Sequence, residues 1–179
     1  MINLDLTIKK ALDIGFSTVS QLDCSTIKLM PEVREMCEVN KCNQYDKNWV
    51  CPPACGTLEE CEEKIKNYNL GIIVQTVGNL EDSMDFEGMV EIEKKHKSLF
   101  LKLSDELKKE YKDVLSLGVG SCIKCEKCTY PDKPCRFPEN MISSMEAYGM
   151  LVSQVCIDNN VKYYYGSNTL AYTGCFLIK

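Results

Sequence analysis

Histidine is almost missing from this 179-residue sequence, where His96 stands alone. A zinc finger built on two cysteines and two histidines is thereby excluded, and any metal must be held mainly by thiolates. Arginine is nearly as scarce, with only Arg34 and Arg136. The 21 Lys and Arg are outnumbered by 26 Asp and Glu, for a net charge of −5. No surplus of cations exists to neutralise phosphates, so no nucleic-acid partner is expected. Long apolar runs are absent too. The longest uncharged run, residues 163–178, carries Gly166, Ser167, Asn168, Thr169 and Thr173 and falls short of the ~18 apolar residues of a membrane span. Residues 1–6 (MINLDL) have neither the basic nor the apolar region of a secretory signal, and the expected location is cytoplasmic. There is no P-loop, dinucleotide fingerprint, Gly-x-Ser-x-Gly elbow or paired-carboxylate motif.

Cysteine, by contrast, is abundant, with 12 residues. Such density means either disulfides in an oxidising compartment or metal in a reducing one. The distribution favours metal. Six cysteines lie between Cys24 and Cys61, none between residues 62 and 121, and four between Cys122 and Cys135, while Cys156 and Cys175 stand alone. A disulfide scaffold would spread its bridges through the fold. Two clusters, residues 37–61 and 122–135, flanking a cysteine-free segment suit two metal sites on one scaffold.

That scaffold needs no staple, because a chain this long buries roughly 70% of its unfolded surface. Its expected form is a single α/β domain over residues 1–179, with a βαβ unit, a mixed sheet, a C-terminal hairpin and two cysteine-rich metal-binding loops. Residues 71–77 (GIIVQTV) form a short β-branched run fit for a buried strand. Residues 86–111 place Ile92, His96, Leu99, Leu103 and Leu107 at helical spacing. Residues 114–119 form a second buried strand, which would make a right-handed βαβ unit with parallel strands. Thr57-Leu58-Glu59-Glu60 is a capping box opening a helix towards Asn69. A helix is expected over residues 140–159, and a hairpin pairing residues 161–165 with 169–178. The first thirty residues predict a short helix and then a strand between Ser17 and Leu29.

Cys122, Cys125, Cys128 and Cys135 have the spacing C-x2-C-x2-C-x6-C. Three cysteines at that spacing wrap a cubane from one short loop, and a more distant fourth closes the last corner, as in ferredoxin-type [4Fe–4S] sites. Zinc more often takes two separated C-x2-C knuckles and is the alternative metal. The loop follows the second strand through Gly118 and Gly120, at a strand's carboxyl end, where open α/β sheets gather ligands. Gly120 would let backbone approach a cluster and donate to its sulfurs.

The first group, Cys37-x4-Cys42-x8-Cys51-Pro-Pro-Ala-Cys55 followed by Cys61, offers five candidates for four positions. Cys37, Cys42 and Cys51 are the preferred ligands, with Cys61 favoured over Cys55 as the fourth, and an open iron as a further alternative. The two arginines fall beside the two groups: Arg34 precedes Cys37 by three residues and Arg136 follows Cys135. A guanidinium at each rim would offset the formal charge of −2 on a thiolate-bound oxidised [4Fe–4S] core. Tyr45, Trp49, Tyr130 and Phe137 would shield the clusters from water. His96, on the apolar face of its helix, reads as a core residue, as do Cys24, Cys156 and Cys175.

The segments VREMCEVNKC, NWVCPPACGTLEEC, SCIKCEKCTYPDKPCRFPE and SMEAYG together resemble a prokaryotic family of cysteine-rich predicted metal-binding proteins, a domain of unknown function. The resemblance runs from Val33 to the expected C-terminal hairpin. It implies Cys37, Cys42, Cys51, Cys122, Cys125, Cys128 and Cys135 as ligands and says nothing of a reaction. The expected function is therefore that of an iron–sulfur protein with two clusters, both [4Fe–4S], in electron transfer with a redox partner protein. One alternative is an enzyme using the open iron of a three-cysteine cluster as Lewis acid. Another is a zinc-binding interaction or metal-delivery module.

Overall fold

The computed structural model describes residues 3–179. Asn3 caps α1 (Leu4–Ile14) by accepting from the Leu6 amide, and β1 (Thr18–Asp23) follows. Next come α2 (Pro31–Glu38), α3 (Leu58–Ile65), β2 (Leu70–Asn79), α4 (Phe86–Glu110) and β3 (Val114–Gly118). The chain closes with β4 (Ser143–Ser144), α5 (Val152–Asp158) and β5 (Thr169–Ile178). The fold class is the α/β arrangement expected, around one mixed sheet of order β1-β2-β5-β3-β4. Antiparallel pairs join β1 to β2, β2 to β5 and β5 to β3, while β3 and β4 run parallel.

Alternation along the central strands builds a core on each face. Ile72, Val74, Phe176 and Ile178 face α1 and α4, meeting Ala11, Phe100, Leu103 and Leu107. Ile73, Cys175 and Leu177 face the other way, against Cys61 and Ile65 of α3 and Val155 and Cys156 of α5. The capping box is complete: Thr57 Oγ1 accepts from the Glu60 amide, and the Glu60 carboxylate accepts from the Thr57 amide. Among the described residues no helix is long and apolar enough to cross a membrane.

Three local expectations are corrected. β2, α4 and β3 do form a strand–helix–strand passage with both strands pointing one way, but β5 lies between them and pairs with each. The C-terminal hairpin does not form. β5 takes β2 as its full-length partner, and residues 161–165 are tied instead to Gln75, whose amide donates to the Lys162 carbonyl at 3.0 Å and accepts from the Tyr165 hydroxyl at 2.7 Å. In place of the helix expected over residues 140–159, the chain runs through a 3-10 turn at Pro138–Asn140, β4, a second 3-10 turn at Glu146–Tyr148 and the short α5. Gly149 breaks the expected helix, with φ +84°, a left-handed conformation that glycine adopts at no steric cost.

The sheet's closest approach is at Gly71, where an added Cβ would sit 2.3 Å from the Phe176 carbonyl oxygen and 3.2 Å from the Leu177 Cα. Backbone cannot rotate away as a side chain can. Gly71→Ala is therefore expected to lower the free energy of unfolding by about 1–3 kcal/mol, measured by denaturant titration. An unchanged midpoint would show that β2 and β5 have slack at this end of their pairing.

Candidate metal centre

Both cysteine groups hang from the carboxyl end of β3. β4 pairs with β3 at Leu117–Gly118, so the segment after it, with Glu146 and Ala147, comes alongside. α2 packs on the Glu146–Tyr148 turn, which carries Cys37 to the same place.

Cys122, Cys125, Cys128 and Cys135 line one concave site, with Trp49, Val50, Arg136 and Phe137 completing it. Its free space is small, about 30 Å³. Two backbone amides already donate to sulfur: Lys124 N to Cys122 Sγ at 3.5 Å, and Phe137 N to Cys135 Sγ at 3.4 Å. Such bonds favour a charged sulfur. Arg136 lines the site and donates to the Lys127 carbonyl at 3.0 Å, bracing the loop. Cys122 is exposed and the other three are half-buried.

Cys37, Cys42 and Cys51 line a separate cavity of about 240 Å³, together with Tyr45, Gly120 and Glu146. Burial, and then the neighbouring Cys42, pushes the Cys37 thiol up, while Arg34 acts in the opposite sense. Burial also raises Cys51.

The two sites share a wall. Val50 belongs to one and Cys51 to the other, as do Cys122 and Ser121. Cys122 and Cys128 are close enough for their charges to raise Cys51. The wall is stitched by contacts between residues far apart in sequence. Trp49 Nε1 donates to the Lys133 carbonyl at 3.1 Å, its ring meets Tyr130 edge-on at 4.9 Å, and the Tyr130 hydroxyl donates to Asp46. These aromatics thus join the loops as well as covering them, a role that adjacency to cysteine alone does not reveal.

Cys55 and Cys61 do not line the three-cysteine cavity. They form a buried pair of their own. Cys61 lies fully buried in the core with Cys24, Cys156 and Cys175. Cys55 and then Arg34 lower the Cys61 thiol to about 7. In the same pair Cys55 is pushed up, by Cys61 and by burial. Arg34 reaches past the cavity to this pair: its guanidinium is 3.9 Å from Cys61 Sγ and donates to the Ala147 carbonyl at 2.9 Å and the Gly56 carbonyl at 2.8 Å.

Seven cysteines, a donor type that suits a soft metal, stand on two adjoining surfaces, four on one with Arg136 and two amide donors beside them, and three on the other. Among the described residues, no three His, Cys, Asp or Glu side chains stand together at the spacing of a single-ion site.

The profile of a family described as Predicted metal-binding protein (DUF2284) matches residues 20–178. The solved structure of epoxyqueuosine reductase from Bacillus subtilis, with its catalytic loop swung out of the active site, is similar at a TM-score of 0.44 and 10% identity. The alignment covers 98% of this chain and 45% of that one, so the chain spans under half of that protein's length. No curated protein matches the chain.

Arg34→Met would strand the Gly56 and Ala147 carbonyls. It is expected to lower stability by roughly 2 kcal/mol or more, measured by denaturant unfolding. Arg34→Lys should recover less than half of that, because an ammonium lacks the planar fork that serves both carbonyls. Full recovery by lysine would show that charge, not the fork, is what the site uses.

Proposed function

The chain belongs to the predicted metal-binding protein family DUF2284, and from that premise we propose that it is an iron–sulfur redox protein with two neighbouring clusters, the second of the [4Fe–4S] type. The observation that carries this reading is the shared wall: four thiols on one side, three on the other, separated by adjacent residues of the same two segments. Clusters bound there would supply one-electron oxidation and reduction.

The chain's own residues supply the rest. Cys122, Cys125, Cys128 and Cys135 hold the outer group, with Lys124 N and Phe137 N donating to its sulfurs. Hydrogen bonds of this kind, and burial, are how a protein sets a cluster's potential. Exposure of Cys122 leaves this side open to a partner protein. Trp49 and Phe137 restrict water there. Cys37, Cys42 and Cys51 hold the inner group, and Arg34, although its guanidinium is engaged beside Cys61, favours the charged form of Cys37 from α2.

A second reading rests on the inner cavity having three thiols and a fourth side formed by Glu146, Ser144 and Gln44. An iron bound by three thiolates keeps a position for substrate and serves as a Lewis acid. In that case the protein is an enzyme, with Glu146 facing the substrate. A zinc-bound interaction or metal-delivery module is the remaining alternative.

Protein purified without oxygen is expected to contain between about seven and eight irons and about eight sulfides per chain, measured by metal analysis and acid-labile sulfide assay. Cys125→Ser should remove one cluster and Cys42→Ser the other, whereas Cys175→Ser removes neither. Stoichiometric zinc without sulfide would overturn the iron–sulfur reading. Iron content unchanged in both Cys55→Ser and Cys61→Ser favours the open-iron enzyme; loss in one of them identifies a fourth ligand and favours the relay.

A further inference from the structure

Next to the outer cysteine surface, with which it shares Cys122 and Lys124, lies a mostly apolar cavity of about 220 Å³, walled also by His96, Lys97, Phe100, Leu101 and Ile142. It is larger than the ~150 Å³ apolar cavity that takes up benzene. His96 is the unusual member of this wall. Its ring is fully buried, and Nδ1 is paired with Thr76 Oγ1 at 2.9 Å. Its Nε2 has no hydrogen-bond partner. A buried polar atom without a partner loses the hydrogen bonds it made in water, so native proteins rarely keep one without a reason.

The imidazole is fixed on every other side. Phe100 stacks on it at 5.8 Å, Phe16 meets it edge-on at 5.7 Å, and Tyr172 lies at 6.2 Å. With Nδ1 committed to Thr76, Nε2 is the one polar atom of the ring left for an occupant, which reaches this buried nitrogen by a small shift of the side chains that cover it. Burial, and then the nearby Lys97 charge, lowers this histidine to about 4, so the ring is neutral near pH 7. A neutral imidazole pairs with an uncharged partner, and the two lysines of the wall are already engaged, Lys97 with Glu93 at 2.6 Å and Lys124 over the Phe137 ring at 5.6 Å.

We propose that this cavity is a binding site for a small neutral ring-sized molecule whose single hydroxyl pairs with His96 Nε2. A hydroxyl both donates and accepts, so it complements either tautomer of His96. The aromatic wall of Phe100 and the aliphatic Leu101 and Ile142 take the ring. The occupant would also touch the wall carrying Cys122, at the back of the outer cysteine group, although the site itself requires no metal. A missing partner at a site built to hydrogen-bond an oxygen discriminates strongly against the analogue lacking it.

The test is calorimetric titration of the protein, purified without oxygen and with its metal content measured, with phenol and with benzene. Phenol is expected to bind with a millimolar Kd or tighter, and about tenfold more tightly than benzene. Leu101→Trp fills the cavity from a half-buried helical position and should abolish binding of both. His96→Phe keeps the ring and removes the nitrogen, so phenol and benzene should then bind alike. Absence of phenol binding to the unaltered protein would overturn the proposal. So would equal affinity for the two probes, or phenol binding that survives Leu101→Trp. None of these three outcomes requires the His96 variant to fold. They are also independent of whether the metal is iron or zinc, so failure here and failure of the iron–sulfur reading are told apart.

Discussion

The fold depends on β5 entering the middle of the sheet. It is hydrogen-bonded to β2 over ten residues and to β3 over four. Its side chains serve both cores, Phe176 and Ile178 on one face and Cys175 and Leu177 on the other. A strand buried on both faces is held by both layers at once, and a one-residue slip would exchange its faces. That fixed position holds β3, and the carboxyl end of β3 carries everything with chemical character: the Gly118–Ser121 turn, the outer cysteine loop, the β4 pairing and the wall of the His96 cavity.

Around that end the cysteines occupy three settings that differ in solvent and charge. The outer four stand in a polar loop with amides aimed at sulfur. Cys37 and Cys51 sit where burial favours the neutral thiol, so a bound cation is what would make thiolates of them. Cys24, Cys61, Cys156 and Cys175 are packed among hydrophobic side chains, as free cysteines commonly are. One residue type thus stands as candidate ligand in two settings and as a small apolar filler in the third.

Local features were legible in the sequence. The helix through Ile92, Leu103 and Leu107, the capping box at Thr57 and the x2 spacing of Cys122, Cys125 and Cys128 each follow from residues a few positions apart. Long-range pairing was not. Leu70 lies opposite Ile178, and alternation along each strand says which face is buried but not which neighbour is chosen. Spacing likewise placed Cys55 and Cys61 within reach of Cys51 without giving the direction in which their sulfurs turn. The Trp49–Lys133 contact and the bare Nε2 of His96 are also products of tertiary packing. The break at Gly149 was marked by the glycine itself, yet the apolar residues around it matched a helix well enough to mask it.

The central place of β5 sets an order in time. Synthesis runs from residue 1 upward, so both cysteine segments, residues 37–61 and 122–135, are made before residues 169–178. For that interval β2 lacks its longest partner, and β3 lacks the strand that holds it in the sheet. The thiols therefore emerge without the frame that later holds them apart, at the stage when a long-range sheet is slowest to close. Whatever delivers metal to this chain meets the cysteines either on an open, flexible polypeptide or only after the last strand has closed the sheet.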